Sequence, residues 1–163
     1  MAIPSKVLKF LENTKAKYEL IEHRTVFTAY DKASTLKMPQ KTVGKTLVMK
    51  VNGNLALVTI PANRNLDKQK LKKAAKALSA QAGNKIDFAT ERLIRNRFKG
   101  VKVGAIPPFG IIWKVPTFVD NSLLKLPKVV VNSGDYSRSL RISSSSIKKL
   151  VPDLIKGSFG KVK

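Results

Sequence analysis

Two β-rich runs, Thr46-Leu-Val-Met-Lys-Val51 and Leu55-Ala-Leu-Val-Thr-Ile60, flank the dipeptide Asn52-Gly53. Asn-Gly is a preferred pair for a two-residue hairpin loop, because both turn positions need positive φ. An antiparallel pair therefore sits near the middle of the chain, and the remaining elements have to pack around it. Pro4-Ser5 opens a helix whose Val7, Leu8, Phe10 and Leu11 recur at helical spacing. Tyr18 to Ile21 alternates as a strand, and Ala29 to Leu36 reads as a short helix. Pro61 to Asn65 reads as a loop, followed by a helix over Asp67 to Leu78. Leu71, Ala75 and Leu78 share one face of that helix, while Lys68, Lys72 and Lys76 step along another.

Thr90 to Phe98 is a further helix, and Gly100 to Gly110 is a loop rich in Gly and Pro. Pro116 to Val119, Lys128 to Val131 and Ser139 to Ile142 read as strands. Ser143 to Ser146 offers caps for a last helix holding Ile147, Leu150, Leu154 and Ile155. No repeat and no linker divides the chain. The order predicts one α+β domain over residues 1–163, with its core between about residues 6 and 155 and a short basic C-terminal tail. The expected sheet is mainly antiparallel, open or barrel-like, with helices around it.

Thirty-two Lys and Arg against ten Asp and Glu give a formal charge of +22. Such an excess repels itself and is best tolerated beside a polyanion. The residues from Lys68 to Lys85 contain no acid, and Arg92, Arg95, Arg97, Lys99 and Lys102 form a second basic run. A plain solvated face would mix signs, so phosphate contact is the better reading of Lys68, Lys72, Lys76, Arg92, Arg95 and Arg97.

The absence of cysteine removes disulfides, thiol catalysis and Cys-ligated metal sites. A single histidine, His23, rules out a multi-histidine metal centre. No Walker or Gly-x-Gly-x-x-Gly phosphate loop occurs. No run approaches about 18 apolar residues and no leader is visible, so a cytoplasmic protein without a membrane partner is expected. An enzyme built from this chain has to work with backbone amides, lysines, hydroxyls or groups of its own substrate.

Three ordered stretches narrow the reading: His23-Arg-Thr-Val-Phe-Thr28, Gly44-Lys-Thr-Leu47 and Gly104-Ala-Ile-Pro-Pro-Phe-Gly110. The last comes after Phe88-Ala89-x-Glu91-x-Leu93 and precedes Val119-Asp120 and Val131-Asn-Ser-Gly134. From about Lys6 to Leu154 the set resembles the YbaK family, which includes the editing domains associated with prolyl-tRNA synthetase. The resemblance implies a mixed α/β fold that hydrolyses wrongly charged aminoacyl-tRNA in trans, with no metal and no organic cofactor. It places Lys45 on the family's required lysine and Gly104, Ala105, Ile106, Pro107 and Pro108 on the loop whose backbone holds the aminoacyl end. Phe109, Gly110, His23, Phe27, Thr28, Asp120, Ser133 and Gly134 are the further candidates to line that pocket. The implied partners are mischarged tRNA and an aminoacyl-tRNA synthetase.

Each feature also has a plain structural reading. The Gly104–Gly110 loop serves equally as a rigid connection, His23 as a strand cap, Thr28 and Phe27 as helix cap and core, and Asp120 and Ser133 as turn formers. A non-catalytic tRNA- or RNA-binding module of the same fold is the alternative function, and a basic DNA-associated protein is a weaker third. His23…Phe27-Thr28 looks like the prolyl-editing branch specialised for alanine, whereas Lys45-Thr46-Leu47 and Ser133-Gly134 look like the YbaK branch. The mixture leaves the amino acid and the tRNA open.

Overall fold

A computed structural model describes residues 3–77 and 85–163. The central hairpin forms as its turn demands: β2 (Gly44–Val51) and β3 (Asn54–Pro61) pair antiparallel from Gly44 opposite Pro61 to Val51 opposite Asn54. Asn52 and Gly53 take φ of 53° and 84° in the turn. A parallel neighbour, β6 (Thr117–Asp120), adds to β3, and β9 (Ile155–Gly157) adds in parallel to β6. On the other side β5 (Ile86–Phe88) pairs antiparallel with β2, giving the order β5-β2-β3-β6-β9.

This sheet is covered on both faces, which is why Leu55–Ile60 is an almost unbroken apolar run. Met49, Val51, Ala56, Val58 and Ile60 bury one face against Leu71 and Ala75 of the α3 region (α3, Lys68–Ala74) and against Phe118 and Phe159. Val48 and Leu57 point the other way, into the larger core. There they meet Val7 and Leu11 of α1 (Ser5–Asn13) and Ile147 and Leu150 of α6 (Ser144–Leu150).

A second sheet, β1-β8-β7, is antiparallel throughout and comprises Tyr18–Glu22, Arg138–Ser143 and Lys128–Asn132. One parallel bridge, Val43 to Val130, ties it to β2. Under that bridge Ala33 of α2 (Ala29–Thr35), Val43, Ala62 and Val130 make a small third core. The remaining helices are α4 (Glu91–Arg97) and α5 (Asn121–Leu124). The described residues thus make an α+β domain of six helices and mostly antiparallel sheets, and the sheets stay open instead of closing into a barrel.

Several local expectations change. Pro61–Asn65 is not wholly loop: Pro61 ends β3, and β4 (Arg64–Leu66) pairs with β10 (Gly160–Val162) in a two-stranded sheet. The last helix stops at Leu150, because Pro152 has no amide to continue it, and Ile155 belongs to β9. The edge strand β5 carries no alternation long enough to be seen in advance. Leu78 lies outside the described residues.

The expected basic tail is instead part of the fold. Phe159 is 0% exposed and meets Phe118 edge-on, with ring centroids 5.6 Å apart. Asp120 Oδ2 accepts the amides of Phe159 and Gly160 at 2.8 and 3.2 Å. Phe159→Ala should therefore cost about 3–5 kcal/mol in denaturant unfolding. A wild-type midpoint would show that β9 and β10 contribute nothing to the core.

Candidate functional site

Three segments far apart in sequence are stitched together around the Gly104 loop. The Val26 amide donates to the Tyr136 carbonyl at 3.1 Å and the His23 amide to the Ser137 carbonyl at 3.0 Å. The Lys102 amide reaches the Gly134 carbonyl at 3.0 Å, and the Tyr136 hydroxyl bonds the Val103 carbonyl. The Phe27 ring stands edge-on to Tyr136 at 4.8 Å. His23, Phe27, Thr28, Gly104, Ser133 and Gly134 are thereby brought into one region.

Within the loop, Gly104 is exposed and Ala105 to Gly110 are buried. Gly104 has φ +84°, and an added Cβ would meet only the Phe27 carbonyl oxygen at an ordinary 3.6 Å. Its backbone conformation, rather than crowding, is what asks for glycine. The Ala105 amide closes a turn onto the Lys102 carbonyl at 3.0 Å. Among the described residues the amides of Gly104 and Ile106 find no acceptor. Pro107 and Pro108 stiffen the second half of the loop, and Phe109 anchors it in the core against Phe10 at 5.6 Å. The Gly110 amide donates to Thr117 Oγ1 at 2.9 Å.

Behind the loop lies a lysine that the sequence did not single out. Lys32 on α2 is only 5% exposed, and its Nζ donates to Asn132 Oδ1 at 2.7 Å. Asn132 Nδ2 in turn donates to the Ile106 carbonyl at 3.2 Å, so the ammonium braces the loop through one amide side chain. Burial pushes Lys32 down to about 8. No carboxylate pairs with it among the described residues. The only sequence hint was Asn132, which sits beside Ser133-Gly134; a lysine on a seven-residue helix carries no burial signal of its own.

Lys45 stands on β2 between two buried residues, Gly44 and Thr46. Thr46 Oγ1 is hydrogen-bonded to Thr59 Oγ1 at 2.9 Å, which fixes the strand locally. Since Val43 bridges Val130, the two-residue period of both strands puts Lys45 and Asn132 on the side of those valines. Lys45 lines a groove of about 590 Å³ with Leu47, Asn65, Leu66, Lys68, Phe88 and Lys161. Burial, and then the charge of Lys163, lower its ammonium from the usual lysine value. Both effects disfavour the charged form, and a neighbouring anion would offset them.

Other candidates hold the fold. Asp120 caps α5, taking the Ser122 amide and hydroxyl at 2.9 and 2.7 Å, while its second oxygen holds the Phe159–Gly160 turn. Burial alone would raise its carboxyl, but these donors outweigh that effect and keep it below the usual carboxylate value. Both His23 nitrogens are engaged, Nδ1 with the Arg24 carbonyl at 2.7 Å and Nε2 with Ser139 Oγ at 2.8 Å. Thr28 caps α2 by accepting the Asp31 amide at 3.0 Å, and Ser133 Oγ donates to the Arg138 carbonyl at 2.6 Å.

The basic runs split in the same way. Lys68 and Lys76 are exposed and Lys72 is half-buried. Arg92 is open to solvent, Arg95 pairs with Glu91 at 2.9 Å, and Arg97 holds the Trp113 carbonyl at 2.8 Å. Among the described residues no group of three His, Cys, Asp or Glu could hold a metal ion. No described helix is long and apolar enough to cross a membrane.

Comparison with known proteins identifies the fold and the family. The hypothetical protein APE2540 superposes with a TM-score of 0.81 at 20% identity, over 96% of this chain and 99% of that one. A protein described as a candidate trans-editing enzyme for prolyl-tRNA synthetase superposes at 0.79 and 20% identity, over 96% of each chain. A Marinobacter aquaeolei protein described as a candidate in signal transduction shares the fold over 98% of this chain but only 31% of its own length, at 0.70 and 17% identity. At such identities these likenesses show the fold. Residues 23–150, which run from the lone histidine through Lys45 and the Gly104 loop into α6, match the family model of the aminoacyl-tRNA editing domain, and the chain belongs to that family.

Proposed function

We propose that this chain is an aminoacyl-tRNA deacylase that clears mischarged tRNA in trans, with Lys45 and the Gly104–Pro108 loop positioning the aminoacyl end. The observation that carries the reading is the pair of unpaired amides, Gly104 and Ile106, in a loop stiffened by two prolines and braced by Asn132. An aminoacyl ester is already activated, so its hydrolysis depends on position and on stabilising the developing oxyanion. Attack by a water molecule on the carbonyl carbon forms the new C–O bond and builds negative charge on the carbonyl oxygen, which the two amides would receive. Collapse breaks the bond to the ribose oxygen, which takes up the proton that the water sheds, and frees the amino acid. Lys45 contributes a fixed positive charge to the ester or to the terminal phosphate.

Lys32 acts one step back, holding Asn132 and through it the Ile106 carbonyl. The cations of α3, of the turn that follows it and of α4, chiefly Lys68, Lys72, Lys76 and Arg92, would hold the acceptor arm without reading its sequence. A synthetase that produces the mischarged tRNA is the natural source of substrate. No metal takes part in this scheme.

Lys45→Ala should lower deacylation of a mischarged-tRNA panel at least about a hundredfold with little change in stability. Wild-type turnover in that variant would remove Lys45 from the reaction. Activity should survive dialysis against EDTA once magnesium is returned for tRNA folding, and a loss that only zinc or manganese repairs would overturn the metal-free scheme.

Lys32 gives a pH test of the brace. Its folded value of about 8 lies below the unfolded value of 10.5, so the cost of burying the ammonium is fully present below pH 8. That cost disappears as pH rises towards 10.5. Lys32→Met should therefore be more stable relative to wild type at pH 7 than at pH 10, by roughly 3 kcal/mol. A difference in melting temperature that stays constant across this window would mean that the ammonium is not buried.

A further inference from the structure

The groove beside Lys45 holds groups that the hydrolysis does not use. Phe88 is 53% exposed on the edge strand β5, and Lys68 Nζ stands 5.0 Å from its ring centroid. Lys161 reaches the same groove from β10, which pairs with β4 through Lys161 opposite Asn65. One acid lines the groove, Asp67, and its Oδ1 accepts the amides of Gln69 and Lys70 at the start of α3. Further along β10's direction, Lys163 Nζ lies 6.0 Å from the ring of Tyr30, which is 56% exposed, and its charge bears on Lys45. Lys161 and Lys163 fall outside residues 23–150, the range that the family model matches.

An aromatic face open to solvent and surrounded by ammonium groups matches the needs of an unpaired nucleotide. The base stacks on the ring while the phosphate meets the cations, and any base will serve because each has a π-face. We propose that this groove seats one unpaired nucleotide of an RNA end, with its base on Phe88 and its phosphate between Lys45 and Lys161. Lys68 leaves the ring for the phosphate when the base arrives. The identification of that RNA as the 3′ end of tRNA rests on the editing function proposed for the chain; the stacking site itself does not.

The test uses the full chain with two probes, the single-stranded trinucleotide cytidine-cytidine-adenosine and a short RNA duplex. Phe88→Ala should weaken trinucleotide binding by about tenfold or more, and Phe88→Trp should restore it. Lys161→Gln should flatten the dependence of log affinity on log salt by about 0.7, the share of one phosphate contact on a single strand. Lys9→Gln, on the exposed side of α1, should change neither.

Wild-type trinucleotide affinity in Phe88→Ala, or equal effects of Phe88→Ala on duplex and single strand, would overturn the proposal. Deacylation measured beside it separates the two readings. Phe88-dependent trinucleotide binding without any deacylation leaves the groove standing and removes the enzyme. Deacylation with Phe88-independent trinucleotide binding does the reverse.

Discussion

The two-residue turn at Asn52-Gly53 decides which way every side chain of β2 and β3 faces. Side chains alternate with period two, so a slip of one residue would exchange the two faces of the central sheet. Met49, Val58 and Ile60 would then leave their core, and Lys45 would turn from the groove into the position now held by Thr46. Burial on both faces makes that slip expensive, and the positive φ values at the turn resist it locally. A lysine on such a strand is held by the same contacts that hold the domain.

The other constraint is charge. With ten acids against thirty-two cations, the acids have little capacity to neutralise. Asp67, Asp120 and Asp135 spend theirs on backbone amides and hydroxyls. Glu19, Glu22 and Glu91 make ion pairs at the surface. Exposed pairs of this type add little stability. These pairings leave uncompensated ammonium groups around α3, β10 and the Lys45 groove, whose interactions salt screens. Lys32 is the exception, because its charge is buried, and it meets an amide instead of an acid.

Neither the loop nor the groove belongs to one contiguous piece of chain. The loop is braced from α2 and β7, while the groove takes its walls from β2, β4, α3, β5 and β10. Asp120 ties α5 to the groove wall that β10 supplies, since the carboxylate that caps α5 also fixes the turn that delivers β10. Its position at a strand end in the sequence suggested a pocket residue or a turn former, and the second describes the contacts it makes.

Features that depend on a few neighbouring residues were legible in the sequence. The hairpin, the caps at Thr28, Asp67, Thr90 and Ser143, and the glycine-proline loop all arise from local backbone chemistry. The ordered motifs singled out Lys45 and Gly104 as candidates because spacing along a chain is itself a sequence property. Three-residue strands are different: β4, β5, β9 and β10 show no period, and they exist because a partner many residues away supplies their hydrogen bonds. The burial of Lys32, the exposure of Phe88 and the presence of Lys161 in the groove of Lys45 belong to the same class. Composition states how many lysines there are, but their solvation and their neighbours are set when separate segments pack together, and only the tertiary structure decides that.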